Sequence, residues 1–304
     1  MKPIALVWLL WGLCIGGSPL PGSDKTGGDS ATPVEIPDAA TVKKHLTADQ
    51  LAVGDPIVNS IDMILVPIAA GEFSMGSRLS AQQLAQRFDT KDVHFADEYS
   101  QHRVQIGRSF YLGAMEVTQE QYEQVMGKNP SRPKKPALPV NRVNWTSAVE
   151  FCRRLSEQPP ETAAGRVYRL PTEAEWEYTC RGGTTGMYSF GNDPAELDHY
   201  GWYVKNALAA GEAYAHRVGQ KRPNPWGLYD MHGNVWEWCQ DWYGKYPSDQ
   251  VFNPVGPDTG TYRVVRGGSW NFIAGTCRST ERDRIKPSFS HNNLGFRVVC
   301  HRVK

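Results

Sequence analysis

Apolar and polar positions fall into three regimes along the chain. The first is a single unbroken apolar run, Ile4 to Ile15, behind Met1, Lys2 and Pro3. Twelve residues are too few to cross a bilayer as a helix, which takes about 20. The run instead has the form of a secretory apolar segment, with small Gly16, Gly17 and Ser18 where a signal peptidase would cut. Residues 1–18 are therefore expected to be a signal peptide and the protein to be exported to periplasm, cell surface or medium. The alternative, a lipoprotein acylated at Cys14, places bulky Trp11 and Leu13 just before the acceptor. Residues 19–57 form the second regime, rich in Pro, Gly, Ser, Thr and Asp, and predict a flexible linker with a short helix around Thr41 to Leu51. The third regime, 58–304, is the folded domain.

Within that domain the periodicity predicts few regular elements. Met63 to Ile68 reads as a buried strand, followed by a glycine-punctuated turn over Gly71 to Gly76. Thr118 and Gln121 form a capping-box pattern before Tyr122, Val125 and Met126, and Gly127 ends that helix. A second helix over Thr146 to Ser156 places Ala148, Val149, Cys152 and Leu155 on one face. A third begins at Thr172, with Glu175 three residues on, carries Trp176 and Cys180 on one face, and stops at Gly182 and Gly183. Beyond that point the helical period is lost, and six tryptophans between 202 and 270 stand among Gly, Pro and Asn. Irregular backbone of that length needs tryptophan packing, cross-links or bound ions to fix it.

The 304 residues carry 33 basic and 32 acidic side chains, a formal net charge of +1. That balance offers nothing to a nucleic acid. Apart from the leader cysteine, five remain: Cys152, Cys180, Cys239, Cys277 and Cys300. An odd number in an exported chain suggests two bridges and a spare thiol, and spacing alone leaves 15 ways to choose two pairs from five. No Cys-x-x-Cys is present, and His232, His291 and His301 are scattered, so no zinc pattern emerges.

A set of longer phrases is more specific. In order they are Gly71-Glu72-Phe73-Ser74-Met75-Gly76, Glu116-Val117-Thr118, Pro139-Val140, the run Tyr168 to Tyr178, and Asn224-Pro225-Trp226-Gly227-Leu228-Tyr229-Asp230-Met231. Gly233-Asn234-Val235-Trp236-Glu237-Trp238, Arg266-Gly267-Gly268-Ser269-Trp270 and Gly295-Phe296-Arg297 follow. Together they resemble the formylglycine-generating enzyme family, also called sulfatase-modifying factors. The resemblance implies an α+β fold with little regular secondary structure, related to the C-type lectin-like fold and stabilised by calcium.

Carried over residue by residue, the resemblance implies one calcium site made by the Asp230 and Glu237 carboxylates and the Gly233 and Val235 carbonyls, oxygen ligands that suit the ion. A second family calcium site finds no Asp in residues 203–222. It also implies two disulfides, Cys152 with Cys300 and Cys180 with Cys277, leaving Cys239 as a buried free thiol. The enzymes of the family hold copper(I) between two cysteines five positions apart after the Gly-Gly-Ser phrase. Here those positions are Phe272 and Cys277. Phenylalanine has no ligand atom, so a copper cofactor is not expected.

Three functions follow as expectations. The first is a scaffold, monomeric and without a transmembrane span, that binds a peptide, protein or glycan where the enzymes bind substrate. Its contacts would lie in Asn271 to Thr276 and Ser288 to Asn293, with Ser269 and Trp270 at the floor beside Phe272 and Cys277. The second keeps an oxygen-dependent oxidoreductase acting on sulfatase cysteines. The third is a lectin-like variable display domain.

Overall fold

The computed structural model describes residues 36–91 and 95–302. The expected signal peptide, Cys14 and the first part of the expected linker lie outside the described residues. From Ile36 onward the chain already belongs to the compact body. Two short helices, α1 (Ala39–Lys43) and α2 (Ala48–Val53), replace the expected linker helix, and each has its own side-chain cap. Val42 is fully buried, and the buried Gln50 side chain donates to Pro67 O at 3.1 Å. The linker expectation fails over 36–57 because these few apolar and amide contacts are enough to pin a polar segment.

Strands β1 (Ile57–Val58), β2 (Ile64–Ile68) and β3 (Gly71–Met75) follow, then helix α3 (Ala81–Arg87), β4 (His102–Ile106) and β5 (Phe110–Gly113). Helices α4 (Gln119–Met126), α5 (Trp145–Ser156) and α6 (Pro159–Ala163) lead to β6 (Arg166–Arg169) and α7 (Glu173–Arg181). The rest is β7 (Trp236–Trp242), β8 (Val251–Phe252), β9 (Arg263–Arg266), β10 (Arg282–Ile285), β11 (Leu294–Gly295) and β12 (Val299–Arg302), joined by irregular chain with short 3-10 turns. The three strongly signalled helices appear within about a residue of their predicted ends. Thr118 and Thr172 both close capping boxes, and Gly127 and Gly182 take the left-handed conformation at φ 70° and 55°. The expected turn over Gly71 to Gly76 is instead β3, paired with β4.

Five antiparallel strands order as β1-β2-β5-β12-β6, so the C-terminal strand is held between two others. A second sheet runs β10-β9-β7-β11, its last pair parallel, and a third runs β3-β4-β8. One core lies under α4 and α5, where Tyr122 stacks on Phe151 at 5.6 Å and Phe296 meets Phe151 edge-on at 5.3 Å. Trp236 and Trp238 fill the same cluster.

Charge is buried as deliberately as the aromatics. Arg297, fully buried, forks onto Glu237 at 2.6 and 2.7 Å and donates to the carbonyls of Gly113 at 3.1 Å and Tyr229 at 3.0 Å. The Trp176 indole donates to the same carboxylate at 2.7 Å. Five segments distant in sequence therefore meet at one guanidinium–carboxylate pair. Elsewhere along α7, Glu173 pairs with Arg282 at 2.6 Å, and Glu177 with Arg181 at 2.8 Å and with Arg266.

The cysteines depart from the expected pairing. All five are buried free thiols, so neither Cys152–Cys300 nor Cys180–Cys277 is bridged. Each sulfur has its own packing: Cys180 Sγ lies 3.7 Å from Met231 O and 3.9 Å from the His232 ring, while Cys300 Sγ faces His301 O at 3.7 Å. Helix faces and strand pairing already hold these segments without a covalent link.

Two outcomes follow. Thiol labelling in denaturant without reductant should modify Cys152, Cys180, Cys239, Cys277 and Cys300 alike, whereas protection of all but Cys239 among these five would restore both bridges. Arg297→Met should cost about 3–5 kcal/mol in urea unfolding, because it strands the Glu237 carboxylate in the core; a loss below about 1 kcal/mol would show that the pair is dispensable.

Candidate functional site

The turn Gly267-Gly268 brings the segment after β9 back over the floor of the fold. Gly268 sits at φ 74°, and a Cβ there would come within 2.6 Å of Thr276 O and 2.7 Å of Cys277 Sγ. Only glycine permits that approach. The turn thus packs Cys277 inward against the bare backbone, and its thiol is fully buried. Burial, with the nearby Glu281 charge, pushes that thiol up to about 12. Cys277 is therefore buried rather than on a groove surface, contrary to its place among the expected groove residues.

The other groove candidates do converge. Asn293 Nδ2 donates to Ser269 Oγ at 3.2 Å and to Asn271 Oδ1 at 3.0 Å, and Ser269 Oγ donates to Asn271 Oδ1 at 2.8 Å. His291 Nδ1 lies 2.7 Å from Asn293 Oδ1. The backbone of Asn293 also accepts from Trp236 N at 2.8 Å, which ties the rim to the start of β7. One amide side chain joins the two segments that the sequence singles out separately. Its role is not signalled by any spacing, since Asn271 and Asn293 are 22 residues apart.

Phe272, the residue expected at the first copper position, packs into the floor of the fold. Its ring stands edge-on to Trp236, centroids 5.6 Å apart at 85°, and its carbonyl accepts from Val204 N at 2.9 Å. Trp270 is 4% exposed, and its backbone N–H donates to Asn234 O at 2.9 Å. The indole N–H groups of Trp236 and Trp270 and the Asn292 Oδ1 atom are buried without a hydrogen-bond partner. Such atoms ordinarily find a donor, an acceptor or a water. At the rim, Phe289 is 45% exposed and stacks on His291 with centroids 6.1 Å apart.

Both carboxylates of the expected calcium set, Asp230 and Glu237, are buried. Asp230 sits in the left-handed region at φ 58° and is 1% exposed; its Oδ2 accepts from Gly219 N at 2.7 Å, while its Oδ1 has no partner. Burial is the main reason its carboxyl is pushed up to about 6. That orphaned oxygen fits a hard cation. Glu237 fits less well, because both of its oxygens already accept from Arg297 and one also from Trp176. Glu116, unmentioned in the expected ligand set, is buried beside them and accepts from Asn234 Nδ2 at 3.0 Å and Val235 N at 3.3 Å. Its carboxyl is raised well above the usual range, first by burial and then by the charges of Asp230 and Glu237.

The scattered histidines stay apart. His232 is buried, its Nε2 2.9 Å from Ser189 Oγ and its Nδ1 2.8 Å from Cys277 O, and His301 Nε2 lies 2.6 Å from an Arg169 nitrogen. Among the described residues no three His, Cys, Asp or Glu side chains converge as a metal cage, and no helix is long and apolar enough to cross a membrane.

Comparison with known proteins places this geometry. Residues 53–302 match the family described as the sulfatase-modifying factor enzyme 1-like domain. The chain is 39% identical over 174 residues to the formylglycine-generating enzyme of Mus musculus, covering 53% of this chain and 44% of that enzyme. It is 32% identical over 234 residues to the chaperone protein LppX of Paenibacillus barcinonensis, covering 62% and 79% respectively. Among solved structures, Treponema denticola variable protein 1 superposes with a TM-score of 0.66 at 31% identity, over 80% of this chain and 97% of that one. The chain spans less than half the length of the mouse enzyme, so what the two share is the domain. On its motifs, its fold and this match over most of its length, the protein belongs to the sulfatase-modifying factor enzyme 1-like domain family.

Proposed function

We propose that the protein is an exported, monomeric binding scaffold of this family, without standard formylglycine-generating activity, whose ligand is a peptide or protein segment seated over Ser269, Trp270 and Phe272. The observation that carries the reading is the pair of residues at the copper positions. Phe272 offers a ring packed on Trp236 in place of a sulfur, and Cys277 is turned inward as a thiol. A linear copper(I) site requires two soft thiolates, and one buried thiol is not a substitute.

Several features favour binding over plain solvent exposure. The rim combines an exposed aromatic, Phe289, with amides that already form one connected network through Asn293. A relative matched over 79% of its length is named a chaperone protein, which is a protein-binding role. The competing reading, an oxidoreductase acting on sulfatase cysteines, is favoured by the 39% identity to a formylglycine-generating enzyme. Incubation with copper(I), oxygen and a Cys-x-Pro-x-Arg peptide decides between them. No aldehyde should form, and its appearance at a multiple-turnover level would replace the scaffold reading with the enzymatic one.

Calcium belongs to the same proposal. Asp230, with the Gly233 and Val235 carbonyls, would hold the ion, and its charge would offset a carboxylate that the protein leaves half satisfied. Glu237 would contribute only through whatever lone-pair capacity Arg297 leaves it. An ion held at 100 times its dissociation constant adds about 2.7 kcal/mol to stability. Chelation should therefore lower the melting temperature by roughly 5–10 °C, and Asp230→Asn should abolish that response; a melting curve indifferent to chelator would remove the site.

A further inference from the structure

Away from the groove, a cavity of about 280 Å³ opens between β3, the start of β4 and the loop that leaves α7. Its apolar wall is made by Phe73 and Tyr178, whose rings lie 5.3 Å apart, with Trp226 edge-on behind Tyr178 at 4.8 Å. The remaining lining is strongly polar, and three of its side chains are arginines.

The three arginines are in different states. Arg181 is buried and rigidly held by Glu177 at 2.8 Å and by the Gly76 and Gly186 carbonyls at 3.2 Å, so its charge is already matched. Arg103 pairs with Glu72 at the surface, where both side chains are more than half exposed. An ion pair so exposed contributes little and opens readily for another anion. Arg78, exposed on the same rim, has no carboxylate partner among the described residues. Among the described residues, the cavity thus presents one guanidinium without a carboxylate partner and one loosely paired.

Around them stand hydroxyls and the Gln101 amide, with Glu72, the partner of Arg103, as the one carboxylate of the lining. Thr184 donates its proton to Arg181 O at 2.9 Å and keeps its lone pairs as acceptors, while Ser74 and Thr185 add two further hydroxyls. A purely apolar ligand would strand these groups without hydrogen bonds. A bare inorganic anion would meet the C-terminal end of α7, whose dipole is negative, and would leave the hydroxyls and the aromatic wall unused. A ring that carries several hydroxyls and one carboxylate uses all three kinds of surface.

We infer that this cavity is a binding site for an acidic monosaccharide unit, a hexuronate, with its carboxylate on Arg78 and Arg103, its hydroxyls on the Ser74 and Thr184 side and its apolar ring face toward Phe73 and Tyr178. The site shares no residue with the groove and does not depend on the ligand proposed there.

Saturation-transfer NMR on the purified chain, with glucuronate as probe and Trp226 fluorescence as a second readout, tests the assignment. Glucuronate should bind saturably, glucose at least about tenfold more weakly, and equimolar phosphate should not displace it. The double variant Arg78→Ala, Arg103→Ala alters only exposed side chains and should melt like the parent while weakening glucuronate at least about tenfold. Absence of saturable binding, or unchanged binding by the double variant, would overturn the site. Glucose binding as well as glucuronate would remove the role of the arginines, and displacement by phosphate would make the cavity a simple anion site.

Discussion

The fold depends on the Arg297–Glu237 pair. A chain with so much irregular backbone must satisfy its carbonyls from within, because a buried carbonyl without a donor costs as much as a lost hydrogen bond. Arg297 does this for the end of β5 and for Tyr229, while its fork onto Glu237 ties β7 to the segment between β11 and β12. Trp176 of α7 joins through the same carboxylate. The pair is bidentate and completely desolvated, a geometry in which an arginine contributes direction as well as charge. The Phe296 beside it packs into the aromatic core, so one tripeptide anchors both the polar and the apolar interior.

From that anchor the groove follows. β7 carries Trp236, which stands at the floor under Phe272, and the residues just before it, Asn234 and Val235, are held by Glu116. The loops above need little structure of their own, because the Asn293 amide and the Gly267-Gly268 turn set their height over this rigid base. Such an arrangement separates support from contact: the residues that build the frame are buried, and those that face outward are short polar and aromatic side chains on loops.

How much of this was legible in the sequence follows from the range of the forces involved. The helices beginning at Thr118 and Thr172 could be read because a capping box and a left-handed glycine act within four residues. The strand Gly71–Met75 read as a turn because its partner, β4, lies about thirty residues away and has no local signature. The segment 36–57 read as linker because its polar composition hides two anchors, Val42 and Gln50. Family phrases carried the family membership, which the match over residues 53–302 bears out, and they singled out Asp230 and Phe272 as positions to inspect. They did not reveal that Cys277 turns inward, that Glu237 is committed to Arg297, or that Asn293 ties the two groove segments together. Those facts arise from contacts between residues that the sequence holds far apart.

The proposed scaffold role rests on Phe272, which has no ligand atom, and on Cys277, which is buried, so it requires that the chain hold no copper(I). Titration of the purified chain with copper(I) against a competing chelator tests this directly. The account predicts that the chelator keeps all of the metal, with no thiolate-to-copper absorption; one equivalent of copper(I) withheld by the wild-type protein would contradict it.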